Sequence, residues 1–197
     1  MKLPAHPAMN PPMSLAPAPV LDAAALFRAH AGFVATFAAR LGVPRGDIDD
    51  VVQETFLVAH RRGGYTSGDA RPTTWLAEIA LRVWSTLRRS RRRKAAHADD
   101  AALALVPAAD DVFEKAAATE ALSRVERALS TLDLDHRAVL VLFELHGEPC
   151  ESIAAGLGVP LGTVHSRLHN GRRKFHRAYE ALTADAKPDA LSSAGAA

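Results

Sequence analysis

Basic and polar side chains are concentrated near the C-terminus, between residues 165 and 177. Lysine and arginine neutralise phosphates, whereas histidine, serine and asparagine can reach the edges of bases, so this mixture suits nucleic-acid recognition. In a helix, Val164, Leu168 and Phe175 would face inward and leave the polar set facing outward. That outward set comprises His165, Ser166, Arg167, His169, Asn170, Arg172, Arg173, Lys174 and Arg177.

The residues before this stretch favour a turn between two helices. Residues 152–157 are apolar enough for a short helix, Gly158 can adopt the left-handed conformation that ends it, and Pro160 suits the start of the next. We therefore predict a helix-turn-helix from about Pro149 to Tyr179. A solvated helix in a structural bundle would require the glycine, the proline and the basic residues to coincide by chance.

A second group of cations ends a predicted helix that carries Trp75 and Trp84. It would attract polyanions, although a favourable charge pattern at a helix C-terminus would have the same composition. With Tyr65 in a nearby loop, these cations could hold a single strand, whereas tryptophans at helical spacing are more often core residues. The cluster comprises Arg82, Arg88, Arg89, Arg91, Arg92, Arg93 and Lys94.

Apolar residues recur at three- and four-residue intervals over most of the remaining chain, which predicts amphipathic helices. There is no alternating strand pattern, no fixed repeat and no glycine-rich phosphate loop. The sequence therefore predicts an all-α fold of two small helical domains, the second containing the helix-turn-helix. The predicted helices begin near Leu21, Gly46 and Pro72 in the first domain, and near Thr119 and Asp135 in the second, with Asp133 or Asp135 as N-cap.

Composition places the boundaries between these domains. The first residues are rich in proline and alanine, and a stretch with Asp99, Asp100, Asp110 and Asp111 has little periodic hydrophobicity, which is typical of an acidic flexible linker. The predicted segments are a disordered tail at 1–20, a helical domain at 21–94, the linker at 95–118, the helix-turn-helix domain at 119–183 and a disordered tail at 184–197.

Bulk properties limit the class of protein. The net charge is only +2, so affinity for nucleic acid must come from the distribution of cations rather than from their total. Cys150 is the single cysteine, which excludes an internal disulfide and suits a helix start more than a nucleophile. No apolar run approaches the roughly 20 residues that span a bilayer, and prolines interrupt the N-terminal stretch. We expect a cytoplasmic protein without membrane insertion.

The helix predicted from Gly46 has an acidic outer face, on which Asp47, Asp50 and Glu54 recur at helical spacing. An acidic stripe of this kind suits a basic partner surface, since charge complementarity speeds and orients docking.

Taken in order, these motifs resemble the extracytoplasmic-function (ECF) group of bacterial sigma factors, the promoter-recognition subunits of RNA polymerase. Residues 47–60, DIDDVVQETFLVAH, resemble the family's core-binding helix. Residues 74–80, TWLAEIA, followed by the arginine run, resemble its promoter-melting helix. The C-terminal match runs through DHRAVLVLFELHG at 135–147, SIAA at 152–155 and GTVHSRLH at 162–169.

The resemblance implies a protein that is not an enzyme and needs no cofactor or metal. It implies that the protein joins core RNA polymerase, recognises two elements of promoter DNA and helps to separate the strands. It also implies an anti-sigma factor as partner. Many relatives differ at Leu81, Arg82 and Thr86, and often carry Arg or Lys at the positions of His165 and Asn170, which indicates an unusual upstream element. The implied core-polymerase-binding residues are Asp47, Asp49, Asp50, Gln53 and Glu54; the minus-ten residues are Tyr65, Thr66, Ser67, Arg82, Arg88, Arg89 and Arg92; the minus-thirty-five residues are Thr163, His165, Ser166, Arg167, His169, Asn170 and Arg173.

Two other classes of protein are compatible with parts of the sequence. A helix-turn-helix transcriptional regulator without a sigma role would explain the C-terminal half, but it has no need for an acidic helix, an aromatic loop and an arginine-ended helix in that order. An enzyme or metal protein is suggested by His165 and His169, one turn apart. No His-Glu-x-x-His pattern accompanies that pair, and it lies on the face expected to contact DNA.

Overall fold

A computed structural model describes residues 20–95 and 114–185 of the 197-residue chain. The predicted terminal tails, apart from their inner edges, and most of the predicted linker lie outside these ranges. The fold is helical, as predicted. Its helices are α1 (Ala23–Arg40), α2 (Ile48–Arg61), α3 (Pro72–Ala95), α4 (Glu114–Ser130), α5 (Leu134–Leu140), α6 (Cys150–Leu157) and α7 (Leu161–Asp185), with a 3₁₀ turn at Arg45–Asp47 and a π-helical turn at Val141–Leu145.

The first helical group, α1 to α3, encloses a core at the positions that the periodicity indicates. Leu26 and Phe37 of α1, Val51 of α2 and Leu76 of α3 are fully buried within it. The prediction that the tryptophans serve packing is confirmed for Trp84, which is 5% exposed. Burial of such large side chains holds the three helices together and so fixes the outer faces of α2 and α3 relative to each other.

A short strand pair joins the start of the first group to its central loop. The sequence does not predict this strand pair. β1 (Val20–Leu21) pairs antiparallel with β2 (Tyr65–Thr66). Two residues per strand are too few for an alternating pattern to be visible in the sequence. The loop expected around Tyr65 is therefore only partly a loop, because α2 extends through Arg61 and β2 lies within the segment that follows it.

Gly64 makes this pairing possible and supplies a test of it. Its φ is +89°, and a Cβ there would lie 2.4 Å from the carbonyl oxygen of Leu21. Gly64→Ala therefore combines a strained backbone with a steric clash, and we expect it to lower the free energy of unfolding by about 1–3 kcal/mol. Gly68→Ala, in the same loop but with open space at its Cβ position, is the matched control. Equal midpoints for the two variants in urea unfolding would contradict this account of the loop.

The second helical group, α4 to α7, begins earlier than predicted. Helix α4 starts at Glu114 rather than near Thr119, so the predicted linker at 95–118 is shortened from its C-terminal side. The residues concerned, Glu-Lys-Ala-Ala-Ala, have high helix propensity although they lack the apolar periodicity that the sequence analysis requires. Leu129, Val139, Ile153 and Val164 form the buried centre of this group.

Of the two predicted cap candidates, Asp133 and Asp135, it is Asp133 that caps α5. Its carboxylate accepts a hydrogen bond from the backbone N–H of His136 at 3.0 Å and contacts the His136 ring at 2.6 Å. Partial burial works to raise the pKa of Asp133, but the hydrogen bonds from His136 outweigh it and hold that pKa well below its usual range. The cap fixes where α5 begins, and with it the position of Asp135 in its first turn.

The helices described here are too short or too polar to cross a membrane.

The two helical groups pack against each other, chiefly through α3 and α6, so their buried residues form one continuous cluster.

Candidate nucleic-acid and partner interface

The helix-turn-helix is formed by α6 and α7. Gly158 ends α6 in the left-handed conformation, with a φ of 64°, as predicted. Pro160 precedes α7 instead of occupying its first position, and its carbonyl accepts the backbone N–H of Thr163 at 2.9 Å. The turn therefore sets the angle at which α7 leaves the domain.

Helix α7 presents the predicted face. Val164 is fully buried and Leu168 is 5% exposed, which anchors the N-terminal half of α7 against α5 and α6. The polar residues between them point away from the core. Of the predicted minus-thirty-five residues, His165, Ser166, His169 and Arg173 are exposed, whereas Thr163, Arg167 and Asn170 are partly buried.

The cations of α7 are not equivalent, because several are already bound within the protein. Arg167 pairs with Asp135 at 2.6 Å, and Lys174 contacts Asp133 at 3.3 Å. Arg172 pairs with Glu144 at 2.6 Å and lies over the ring of Phe143.

Arg173, by contrast, makes no ion pair within the described residues, and its guanidinium reaches only the side-chain oxygen of Asn170 at 3.4 Å. Of the two arginines of α7 that are predicted to contact the minus-thirty-five element, Arg167 and Arg173, it is therefore Arg173 that is more available to a phosphate.

The loop before α3 is held from inside by Tyr65. This side chain is 7% exposed, its hydroxyl donates to the carbonyl of Ala70 at 2.6 Å, and its ring lies edge-on to Trp75. Thr66 and Ser67 are exposed. In this conformation Tyr65 shapes the loop, while Thr66 and Ser67 form its accessible surface.

The basic surface of α3 is open to solvent. Arg82 is 72% exposed and pairs with Glu78 of the preceding turn, which also accepts a hydrogen bond from Arg62 at 2.9 Å. The other predicted minus-ten cations of α3 are likewise exposed: Arg88, Arg89 and Arg92.

On the acidic face of α2, the structure separates bound carboxylates from available ones. Asp47 is bonded to Arg91 of the basic cluster, and Glu54 pairs with Arg61 at 3.1 Å. Asp49, Asp50 and Gln53 are exposed and form no ion pair with the side chains described. The accessible negative charge is therefore concentrated on the first turn of α2.

Cys150 and the histidines are the sequence's other candidates for reactive or metal-binding chemistry. Cys150 is the first residue of α6, as predicted, and burial together with Glu151 raises the pKa of its thiol, which disfavours the reactive thiolate. Within residues 20–95 and 114–185 there is no cluster of three or more histidine, cysteine or acidic side chains that could hold a metal ion.

One polar cluster is not indicated by the sequence: it is formed by Arg71, Thr73 and Thr74 of the first helical group with Glu148 and Ser152 of the second. Its partners lie 75 to 81 residues apart in the chain. No local pattern could have indicated them, because such pairings depend on how the two groups pack.

Comparison with known families decides the identity. Residues 26–94 match the Sigma-70 region 2 model and residues 122–175 match the Sigma-70 region 4 model, in the order of the two helical groups. The chain is 34% identical over 153 residues to ECF RNA polymerase sigma factor SigM of Mycobacterium tuberculosis, a match that covers 77% of this chain and 74% of SigM. The chain belongs to the ECF sigma factors.

Two further relatives of this sigma factor are also ECF sigma factors. It is 35% identical over 152 residues to ECF RNA polymerase sigma factor SigE of Mycolicibacterium smegmatis, a match that covers 76% of this chain and 58% of SigE. It is 31% identical over 153 residues to the ECF RNA polymerase sigma-E factor of Salmonella typhimurium, covering 71% of this chain and 78% of that protein.

Two solved structures share its fold. RpoE of Bartonella quintana, in complex with the anti-sigma factor NepR, superposes with a TM-score of 0.61 at 22% identity, covering 78% of this chain and 94% of that one. CnrH, in complex with the cytosolic domain of CnrY, superposes with a TM-score of 0.58 at 29% identity, covering 81% and 88%.

Proposed function

We propose that this sigma factor directs RNA polymerase to specific promoters in the cytoplasm and assists strand separation there, without itself catalysing a reaction. The observation that carries the proposal is the order of surfaces in one chain. An acidic α2 face and a basic α3 lie in region 2 (26–94), and a helix-turn-helix with an exposed polar face lies in region 4 (122–175). We assign the two promoter elements to these two regions.

Region 4 is suited to the minus-thirty-five element. Its exposed His165, Ser166 and His169 occupy the N-terminal half of α7, the part of a recognition helix that contacts base edges in the major groove. Arg173 lies one to two turns further on, where a cation meets the phosphate backbone and fixes the position of the helix. Thr163, Arg167 and Asn170 complete the proposed surface.

Region 2 is suited to the minus-ten element. Thr66 and Ser67 are the exposed polar residues of the loop held by Tyr65, and α3 continues from that loop toward exposed arginines. A loop that captures an unstacked base offsets part of the cost of separating the strands, typically a few kcal/mol. We assign to α3, through Arg82, Arg88, Arg89 and Arg92, the backbone of the displaced strand.

The proposed partner of the α2 face is core RNA polymerase, with Asp49, Asp50 and Gln53 as the accessible contacts and Asp47 and Glu54 beside them. An anti-sigma factor is a further proposed partner, because RpoE and CnrH, which share the fold, were solved with NepR and CnrY respectively. The described surface suits such partners by its charge, since the acidic and basic faces lie on helices α2 and α3, which pack against each other.

Run-off transcription tests this function directly. Purified core polymerase is mixed with the protein and with a library of genomic fragments, and the transcripts are sequenced. We expect transcripts that appear only when the protein is added, with start points downstream of a shared sequence element. Binding to duplex fragments without any new transcript would instead support a helix-turn-helix regulator that acts without a sigma role.

A further inference from the structure

Two cations of α7 are held by carboxylates at the start of α5. A guanidinium nitrogen of Arg167 lies 2.6 Å from a carboxylate oxygen of Asp135, and the ammonium group of Lys174 lies 3.3 Å from a carboxylate oxygen of Asp133. Arg167 and Lys174 are two helical turns apart and therefore lie on one flank of α7. Both carboxylates belong to a single helix end, since Asp133 is the N-cap of α5 and Asp135 lies in its first turn.

The packing of α7 on α5 fixes this arrangement. Gly171 of α7 is buried, and a Cβ built on it would lie 3.6 Å from the carbonyl oxygen of His136, in the first turn of α5. Val164 and Leu168 anchor the N-terminal half of α7 in the core. The start of α5 is thus held beside the recognition helix by apolar packing, without help from the two ion pairs.

Both ion pairs are open to water. The side chain of Asp135 is 54% exposed and that of Asp133 is 52% exposed. Ion pairs at such positions contribute little to the stability of a fold, because water and salt screen them. Since the packing holds the helices together and the pairs add little to it, we looked to DNA binding for the effect of the two carboxylates.

The flank that carries Arg167 and Lys174 lies next to the face proposed to read bases. An α-helix with its side chains is about 10–12 Å across, and the major groove is about 12 Å wide. When His165, Ser166 and His169 enter the groove, the flanks of α7 therefore lie beside the phosphate backbones. Asp133 and Asp135 come close to DNA phosphates in the same position.

A phosphate that approaches this flank meets two negative charges and two cations that are already paired. It can bind Arg167 or Lys174 only by displacing a carboxylate, which is then left unpaired beside the DNA. Phosphate contacts carry no sequence information and supply nearly all of the affinity for non-promoter duplex. On a promoter, base contacts also contribute and fix the position of the helix. The carboxylates therefore oppose non-promoter binding most strongly.

We propose that Asp135, assisted by Asp133, is a specificity-determining residue of region 4, which keeps Arg167 and Lys174 from phosphates and so weakens binding to non-promoter duplex more than binding to the minus-thirty-five element. The promoter half of this proposal rests on the proposed function. Non-promoter sites in a genome vastly outnumber promoters, so the ratio of the two affinities decides where the protein binds.

Three variants that each remove one negative charge test the role of these carboxylates. Asp135→Asn keeps the shape of the side chain, and Asp133→Asn also keeps the cap, because asparagine caps helices about as well as aspartate. Glu144→Gln is the matched control, since Glu144 also holds a cation of α7, Arg172, but on another side of the helix. Thermal unfolding of each variant verifies the fold.

The affinity of the full chain for two labelled duplexes is measured by fluorescence anisotropy at several salt concentrations. One duplex is a promoter fragment from the run-off experiment and the other has the same composition in scrambled order. For Asp135→Asn on the scrambled duplex, we expect the salt slope to steepen by about 0.9, which corresponds to binding about fivefold tighter at ~0.15 M salt. Affinity for the promoter should rise less, Asp133→Asn should act in the same direction, and Glu144→Gln should match wild type.

A double-mutant cycle shows whether Asp135 acts through Arg167 or only repels DNA through its charge. If it acts through Arg167, Asp135→Asn should have no effect on the affinity for scrambled duplex in the Arg167→Ala background. An undiminished gain in that background would overturn the proposal, as would equal gains in Glu144→Gln and Asp135→Asn.

Two further results would count against the proposal. No gain of Asp135→Asn on scrambled duplex would show that the carboxylate does not restrain Arg167, and equal gains on both duplexes would remove its effect on specificity. The scrambled-duplex titrations and the cycle need neither promoter nor polymerase. Absence of new transcripts in the run-off experiment would therefore contradict the proposed function alone, while these titrations would still decide whether Asp135 restrains Arg167.

Discussion

Replacing Asp50 by lysine is expected to weaken binding of core RNA polymerase by at least tenfold, or about 1.4 kcal/mol. Asp50 is exposed on the first turn of α2 and forms no ion pair with the side chains described, so its charge is available to a partner. A lysine there would oppose the basic surface that the proposed function requires. Reversing a charge at a helix N-terminus also costs about 0.3–1 kcal/mol of stability, which leaves the domain folded.

The matched control for this reversal is Glu180→Lys, which changes the same charge at an exposed position of α7. Fluorescence anisotropy of labelled protein titrated with core polymerase measures both affinities, and thermal unfolding verifies the fold. Equal losses in the two variants would indicate a response to net charge alone and would remove Asp50 from the proposed interface.

Arg173→Ala is expected to reduce the salt dependence of duplex binding, whereas Arg172→Ala should leave it unchanged. Each phosphate contact that is lost lowers the slope of log affinity against log salt concentration by about 0.9. Arg173 is exposed and reaches only Asn170, but Arg172 is held by Glu144 and Phe143 on another side of the helix. Two neighbouring arginines of α7 are thus expected to respond differently.

The measurement uses a promoter fragment recovered from the run-off experiment, with affinity determined at several salt concentrations. Urea unfolding of both variants separates effects on DNA binding from effects on stability, since Arg172→Ala removes an ion pair and a cation–π contact within the protein. A loss of slope in Arg172→Ala equal to that in Arg173→Ala would contradict the division between bound and available cations.

The sequence was informative wherever the physical cause is local. Apolar periodicity locates the helices, Asp133 is one of two recognisable N-cap candidates, and Gly158 marks the end of α6 because its left-handed conformation favours glycine. The start of α4 was misplaced, because its alanines stabilise a helix through propensity without an amphipathic face. Local chemistry therefore predicted both the fold class and the presented face of α7.

The side-chain pairings across the fold could not be predicted in the same way. Asp47 and Asp50 have the same type and nearly the same position, yet only Asp47 is bonded to Arg91, 44 residues away. Arg167 is occupied by Asp135 across 32 residues. Which charges are free depends on how helices pack, and that is determined by the whole core rather than by any segment. The contact between α3 and α6 was unforeseen for the same reason.

The internal hydrogen bond of Tyr65 has a thermodynamic consequence. Because its hydroxyl is bonded to Ala70 and its ring rests on Trp75, the loop that bears Thr66 and Ser67 acquires its shape when the domain folds. Ordering a flexible segment on binding would cost about 0.5–1.5 kcal/mol for each immobilised side chain. A loop ordered beforehand largely avoids that entropy loss, so the proposed capture of a strand here should show little of the heat-capacity change that accompanies coupled folding and binding.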